Sequence, residues 1–344
     1  MGHRAGVTGE THHQNPGTRW PASVHDASRF ILDQLPGCSP VDATPTEPSR
    51  YSPADEPPIL VTPDLIEPPP FRAIQVADLK DVRGHSGFAA FLDGTQDLRV
   101  VNQIEGISIV WGVVSAAIRA RVHRRLVCWA GRPPIVSGRY YMPFRYLPAL
   151  RDEMRNDPRV VDTATEARDG TFPSRHPAAL MEAAVKRIQS DRERIELELA
   201  ESWCASQTST LYVDGSITGS RIAASSIHAV GVSKTHRRLY AEGDAFRILA
   251  GLRAGERTTV FRVDPRDRHP VASWYVRLRN PAGRDALFGL VRVEAALTSD
   301  ISSRADEVTR WVLAEGAPLA LPDGRWDKMA YGVRDTEEFL RAIS

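Results

Sequence analysis

Two stretches of the sequence share one format, in which an apolar strand runs into the pair Asp-Gly. The first covers residues 87–95 and contains Asp93, and the second covers residues 209–217 and contains Asp214. Each apolar run is typical of a buried strand, and the glycine that follows favours a chain reversal at the strand end. Two such strands in one sheet would bring two carboxylates to the same edge. We therefore interpret Asp93 and Asp214 as parts of one acidic site, although Asp-Gly alone is also a common turn signal.

The composition is that of a globular chain and excludes several classes of protein. The 344 residues carry a formal net charge of +1, with 42% hydrophobic and 25% charged residues, which allows one large core. A balanced charge excludes a polycation, so any contact with nucleic acid must come from a local basic patch. The three cysteines are too widely spaced for a zinc or disulfide pattern. Since the sequence has no secretory leader and no apolar run of about 18 residues, we expect a cytoplasmic protein without membrane spans.

The first 72 residues have the composition of a disordered, proline-rich tail. They hold 13 of the 25 prolines and few apolar clusters, so they offer little surface whose burial could offset the entropy of ordering. One apolar patch, residues 28–35, predicts a short docking helix with Ser28 or Asp26 as its N-cap. We expect residues 1–72 to form the tail and residues 73–344 to form a single domain.

The order of elements from residue 88 onward predicts a mixed α/β domain. Strand patterns come first as a meander, with a turn at Glu105-Gly106, and a long helix follows before the second acidic strand. The predicted strands cover residues 88–92, 98–101, 107–114, 126–130, 211–213, 229–234, 258–263, 272–278 and 287–294. The predicted helices cover residues 148–155, 177–205, 221–227, 302–313 and 336–343, with Pro148 and Pro177 each in a first turn.

The long predicted helix supplies a third carboxylate. Apolar residues recur at helical spacing from Met181 to Leu199, and at about 100° per residue Glu196 lies close to that apolar face while Glu198 lies further round. A carboxylate that acts at the sheet must look toward it. We therefore expect Glu196 to belong to the site, with Glu198 as the alternative; the opposing interpretation places Glu196 outward in a solvated run of charges.

A lysine and a further acid complete the candidate set. Residues 229–234 predict a strand that ends in Lys234, a cation well placed to hold a phosphate beside acidic strand ends. The other interpretation of Lys234 is a solvated basic turn. Asp327 precedes the last predicted helix and is the fourth candidate acid.

Clustered carboxylates favour a divalent cation, because they raise one another's pKa unless a cation is present. Hard oxygen ligands suit Mg²⁺ or Mn²⁺, and two such ions can clamp the attacking and leaving oxygens of a phosphodiester. Lys234 would neutralise charge that develops on the phosphate. A P-loop and a G-x-S-x-G motif are absent from the sequence, so we expect neither ATP hydrolysis nor serine-based chemistry.

Four short stretches resemble the NurA nucleases. They are residues 91–95 (Phe-Leu-Asp-Gly-Thr), 194–198 (Arg-Ile-Glu-Leu-Glu), 211–216 (Leu-Tyr-Val-Asp-Gly-Ser) and 230–235 (Val-Gly-Val-Ser-Lys-Thr). The resemblance covers about residues 85–344. It implies an RNase H-like mixed sheet flanked by helices, a Mn²⁺-dependent DNA exo- and endonuclease that processes DNA ends in repair or defence, a homodimer, and a HerA-type hexameric ATPase partner.

The same resemblance implies roles for individual residues. Asp93, Asp214 and either Glu196 or Glu198 would be metal ligands, and Lys234 matches the family's lysine after the following strand. Family members also tend to carry a Tyr and a His near the last helix. Residues 318–328 contain no histidine, and they offer Asp327 as the candidate last ligand instead.

Two other functions remain open at this stage. The first is a different RNase H-like nuclease that acts on RNA or on hybrids. The second is a non-catalytic module that binds nucleic acid or a partner, with the acids serving only as turns. The aromatic and basic residues around Tyr140 and Tyr141 either stack on bases or cover the core.

Overall fold

The computed structural model describes residues 24–35, 37–40, 58–77, 86–123, 125–167, 170–281, 285–316 and 328–344. Within these residues the secondary structure consists of sixteen strands, seven α-helices and one 3₁₀ turn. The strands are β1 (Ser39–Pro40), β2 (Ile59–Leu60), β3 (Asp64–Leu65), β4 (Ala73–Gln75), β5 (Phe88–Ile104), β6 (Ile107–Val122), β7 (Arg125–Cys128), β8 (Ile135–Met142), β9 (Val160–Asp162), β10 (Thr210–Asp214), β11 (Ala229–Ser233), β12 (Arg238–Leu239), β13 (Glu256–Thr258), β14 (Phe261–Val263), β15 (Val271–Arg277) and β16 (Leu290–Ala295). The helices are α1 (Val24–Gln34), α2 (Asp152–Arg155), α3 (Pro177–Ser206), α4 (Arg221–Ser225), α5 (Asp244–Ala250), α6 (Ile301–Glu315) and α7 (Tyr331–Ile343), and the 3₁₀ turn is Phe144–Tyr146.

Fourteen of the described strands form one mixed sheet. Its main path runs β3-β14-β15-β16-β11-β10-β5-β6-β8-β9, with β1, β4, β7 and β13 paired alongside. At the centre, β10 is parallel to both β5 and β11, whereas β6 is antiparallel to β5. The predicted mixed α/β architecture, a large sheet flanked by helices, is confirmed.

Helices cover both faces of this sheet. Side chains alternate between the faces of a strand, so β5 sends Leu92 into a core shared with α3 and Phe91 into a core shared with α6 and α7. Ile188 and Ile195 of α3 are fully or almost fully buried on the first face. The predicted long helix is confirmed, with Pro177 as its first residue.

The hairpin of β5 and β6 is the longest feature of the sheet. Glu105 and Gly106 join the two strands with φ values of 47° and 79°, as a two-residue turn that suits strand twist requires, so the predicted turn is confirmed. The expected chain reversal at Asp93-Gly94 is wrong. β5 continues through this pair because β6 lies beside it throughout, with Asp93 opposite Ala117, and this pairing outweighs the local turn preference.

The N-terminal segment departs from the expected disordered tail in the part that the structure describes. The helix α1 and the residue that follows it bury Ala27, Ile31 and Leu35 against the far end of the β5–β6 hairpin. The helix begins at Val24, ahead of both predicted caps. The docking helix predicted from the apolar patch at residues 28–35 is therefore confirmed, with an earlier start. Residues 1–23 and 41–57 of the expected tail lie outside the described residues.

Several smaller predictions need correction. The predicted helix 148–155 begins only at Asp152, and the last helix begins at Tyr331 rather than at residue 336. The predicted strand 258–263 is split into two short strands, and α5 had no counterpart in the prediction. No helix among the described residues is long and apolar enough to cross a membrane.

Candidate metal centre

Asp93 and Asp214 stand on neighbouring parallel strands. The pairing of β10 with β5 runs as far as Val213 opposite Leu92, so Asp214 follows beside Asp93. β10 ends at Asp214 while β5 continues. Asp93 is therefore accessible at this position because the neighbouring strand β10 ends there, although β5 itself continues to Ile104. The side chain of Asp214 is 19% exposed and Asp93 is 7% exposed, so both carboxylates are largely withdrawn from water.

Lys234 joins this pair from the next strand. β11 ends at Ser233 and is parallel to β10, which brings the following residue to the same edge. Lys234 Nζ lies 2.7 Å from Asp214 Oδ1 and donates to Oδ2 at 2.9 Å. The predicted lysine is thus an ion-pair partner of Asp214 and not a solvated turn residue.

Glu196 approaches from α3, as the helical spacing predicts. Its side chain is 12% exposed, and a Cβ on Gly94 would lie only 2.2 Å from Glu196 Oε1. The missing side chain at Gly94 therefore provides the space for this carboxylate. Oε1 is buried and has no hydrogen-bond partner among the described residues; its one ion-pair contact is with Arg192 Nη1, at 3.3 Å.

Burial and mutual repulsion shift the pKa of two of these acids. Burial raises the pKa of Asp93 well above its usual range; Asp214 and Glu196 raise it further, while Lys234 lowers it. Burial likewise raises the pKa of Glu196 to about 7, with Arg192 opposing the rise and Asp214 adding to it. Ionisation of both carboxylates is therefore unfavourable in the folded protein, and a nearby cation would stabilise their charged forms.

The donor chemistry of the cluster fits a divalent cation. The carboxylates offer hard oxygen ligands of the kind that Mg²⁺ and Mn²⁺ prefer, and Glu196 Oε1 is a buried acceptor without a hydrogen bond. In the described stretches, however, no three His, Cys, Asp or Glu side chains stand close enough to hold an ion as they are placed. Side chains alternate along a strand, so Asp93 and Asp214 lie on the same face of the sheet as Phe91, the face that α6 and α7 cover. Glu196 approaches from α3, which covers the opposite face.

Of the two remaining predicted ligands, only Glu198 is among the described residues. Glu198 is 46% exposed and pairs with Arg194 one turn earlier on the same helix, so it faces solvent and not Asp93. Asp327 lies outside the described residues. Of the two helix carboxylates, only Glu196 comes close enough to Asp93 to affect its pKa.

Two clefts meet at Asp214. The smaller has a volume of about 510 Å³ and is lined on one side by Glu196 and Glu198. The larger has a volume of about 920 Å³ and is lined by Asp93. Asp214 and Arg192 line both clefts. The acids therefore lie at the junction of two accessible cavities.

Glu294 is a carboxylate that the sequence reasoning missed. It is fully buried on β16 and accepts hydrogen bonds from Ser216 Oγ at 2.9 Å and from the backbone N–H of Ile217 at 3.0 Å. Arg292 Nη2 donates to its other oxygen at 2.6 Å. Glu294 thus holds the loop that follows Asp214. The signal was present in the sequence, since Arg292 and Glu294 alternate within an otherwise apolar strand, where a buried charge needs a partner.

Two aromatic residues considered for base stacking belong to the core. Tyr140 and Tyr141 are fully buried. Tyr140 donates its hydroxyl to the carbonyl of Ala27 at 2.9 Å, and Tyr141 donates to Asp191 Oδ2 at 2.8 Å. These two rings have no free face for a base, so the core interpretation is correct for them.

No known family model matches the chain, and no curated protein matches it either.

Proposed function

We propose that this protein is a metal-dependent nuclease of the NurA type that hydrolyses DNA phosphodiester bonds at Asp93, Asp214 and Glu196. The observation that carries the proposal is the register of β10 on β5, which brings two aspartates together beside a buried helix carboxylate. Perturbed acids that line a cleft favour a functional site over a purely structural one. The raised pKa values of Asp93 and Glu196 make a cation the natural partner.

We also propose that the domain is RNase H-like. The antiparallel strands β5, β6 and β8 come first, the helix α3 follows, and the parallel strands β10 and β11 come next. This order supports the proposal, because the meander, the helix and the acidic strand follow one another as the sequence predicts for an RNase H-like sheet. The additional strands β13 to β16 extend the sheet beyond β11.

The roles of the residues follow from their placement. Asp93, Asp214 and Glu196 would hold Mn²⁺ or Mg²⁺, and bound ions of this kind activate water and stabilise a leaving oxygen. Glu294 accepts a hydrogen bond from the loop after Asp214 and so keeps the Asp214 carboxylate in its orientation. Lys234, now 2.7 Å from Asp214, supplies a positive charge that can pair with a substrate phosphate instead.

One observation favours a second candidate, a module that binds nucleic acid or a partner without cutting. Lys234 already neutralises Asp214, and an ion pair of this kind can stabilise a strand edge without any chemistry. The experiment must therefore separate cutting from binding.

The test is cleavage of labelled single-stranded DNA, double-stranded DNA and an RNA–DNA hybrid in Mn²⁺, Mg²⁺ or EDTA. We expect metal-dependent cutting that Asp214→Asn and Glu196→Gln each reduce by about 100-fold or more, since even outer-shell partners of a metal site contribute about 10–100-fold. Glu198→Gln is the matched control, because Glu198 also pairs with an arginine one turn earlier but faces solvent. It should keep activity within about twofold.

Two results would count against the nuclease. The first is cutting that Asp214→Asn and Glu196→Gln both leave unchanged, because these residues would then not form the nuclease site. The second is a wild type that does not cut and whose calorimetric titration shows no Mn²⁺ binding that depends on Asp214. This result favours the binding module. A wild type that binds Mn²⁺ without cutting points to the hexameric ATPase as a required partner.

A further inference from the structure

Arg192 occupies the junction between the two clefts. It lies on α3 one turn before Glu196 and, like Asp214, it lines both cavities. Its side chain is 25% exposed, so it is partly buried and still reachable from either cavity. A ligand that spans the two clefts must pass this side chain.

The contacts of Arg192 leave part of its guanidinium unused. Nη1 donates to the carbonyl of Gly94 at 3.4 Å and lies 3.3 Å from Glu196 Oε1, which are long distances for a charged group. Nε is buried and has no acceptor among the described residues. A guanidinium has five donors in a planar fork, and a buried donor without a partner is unfavourable. The contacts that hold the side chain are therefore long, and a better acceptor can replace them.

The chemistry of that acceptor follows from the group itself. A guanidinium pairs with carboxylate and phosphate through two parallel hydrogen bonds. The nearest strand-end carboxylate is already paired, since Lys234 contacts both oxygens of Asp214. A phosphate that passes between the clefts would meet the guanidinium of Arg192, which lines both of them beside Asp214.

We propose that Arg192 is a phosphate-binding residue that holds the nucleic-acid backbone where the strand passes from one cleft to the other. The proposal rests on the proposed function for its ligand class. It adds a substrate contact that neither the predicted ligand set nor the lysine supplies. Arg192 pairs with Glu196 in the free protein, and the phosphate takes over the guanidinium when a strand is bound.

Arg187 provides a control on the same helix, outside both clefts. Its side chain is exposed, and it is not among the residues that line either cleft. Arg192→Gln and Arg187→Gln each remove one positive charge from α3, at positions that differ in their access to the clefts. A difference between them therefore reports position and not net charge.

The test is binding of a fluorescein-labelled single-stranded oligonucleotide by anisotropy, in EDTA and again in Ca²⁺, over a range of salt concentrations. We expect Arg192→Gln to weaken binding about tenfold and to reduce the salt slope by about one, as loss of one phosphate contact does. Arg192→Lys should be intermediate, because it keeps the charge and loses the fork. Arg187→Gln should stay within about twofold, because Arg187 lines neither cleft, and thermal unfolding should show that all variants are folded.

The outcomes separate this inference from the nuclease proposal. Equal affinity and salt slope for Arg192→Gln and wild type overturn it, as does a wild type that binds no oligonucleotide in either condition. If the protein cuts DNA and Arg192→Gln cuts and binds normally, only the inference fails. If the protein binds through Arg192 and never cuts, only the nuclease proposal fails.

Discussion

At Gly94 the absence of a side chain leaves the space that the Glu196 carboxylate occupies. A Cβ there would lie 2.2 Å from Glu196 Oε1 and 2.9 Å from its Cδ. Gly94 is not among the described residues with positive φ, so its backbone would accept any residue. The glycine is needed for room and not for conformation. Because the atoms it would meet are the flexible end of a side chain, an added methyl group would move the carboxylate more readily than the strand.

Gly94→Ala is accordingly expected to disable the site while preserving the fold. We expect Mn²⁺ affinity to fall by about tenfold or more, on the scale of disturbed metal-site partners, with a change in unfolding free energy of about 1 kcal/mol or less, since the Glu196 side chain can rotate away. Calorimetric titration and denaturant unfolding measure the two quantities. In a Glu196→Gln background the same alanine should add no further loss of affinity. Unchanged affinity in Gly94→Ala would mean that Glu196 is not a ligand.

At the scale of elements, the sequence predicts well those helices and strands whose bounds depend only on nearby residues. The helix α3 carries its own apolar period and begins at Pro177, so no distant partner is needed to define it. The strand β5 is different, because Asp93-Gly94 has a local preference for a turn that pairing with β6 overrides. The site follows the same division, because Asp214 ends its strand as predicted. The alternation of Arg292 and Glu294 marks a buried charge in the sequence, but the loop that Glu294 holds becomes apparent only from the pairing of β16 with β11.

The sequence predicts the helix α1 from its apolar patch at residues 28–35, but not its start at Val24. Its docking makes a direct prediction. Ile31 is fully buried, whereas Leu32 next to it is 37% exposed. Ile31→Ala should lower the free energy of unfolding by about 2–5 kcal/mol, as buried large-to-small changes do, and Leu32→Ala should lower it much less.

Denaturant unfolding of the full chain measures both variants, provided that the slope with denaturant concentration is the same in each. Similar small losses at Ile31 and Leu32 would contradict the docking of α1 on the hairpin.

For the whole molecule, His236 links global stability to pH. Its Nε2 lies 2.8 Å from the carbonyl oxygen of Leu290, and Nδ1 is buried with no partner among the described residues. Burial lowers the pKa of His236 to about 4; the Leu290 hydrogen bond opposes this shift, and the cations Lys328, Arg292 and Arg277 add to it. The folded protein therefore favours the neutral ring.

The sign of the pH dependence follows from this shift. The unfolded chain takes up a proton on His236 near pH 6.5 and the folded chain only near pH 4. The contribution of His236 to stability is therefore fully present above about pH 6.5 and is lost as the pH falls toward 4, by up to about 1.4 kcal/mol per pH unit. His236→Gln, which keeps a donor toward Leu290, should flatten the dependence over this window. Unfolding free energies of both proteins between pH 4 and 7 test this, and parallel curves would contradict it.

The pairing of β10 with β5 has a consequence for how such a site changes over generations. Strands pair in whole-residue steps, so a slip of one residue would turn Asp214 to the other face, and a slip of two would carry it about 7 Å along the strand. No intermediate spacing exists. Natural variation can exchange the residue at position 93 or 214, but it cannot adjust their separation gradually. Descendants of this chain are therefore expected to inherit the acidic pair intact or to lose it in a single event.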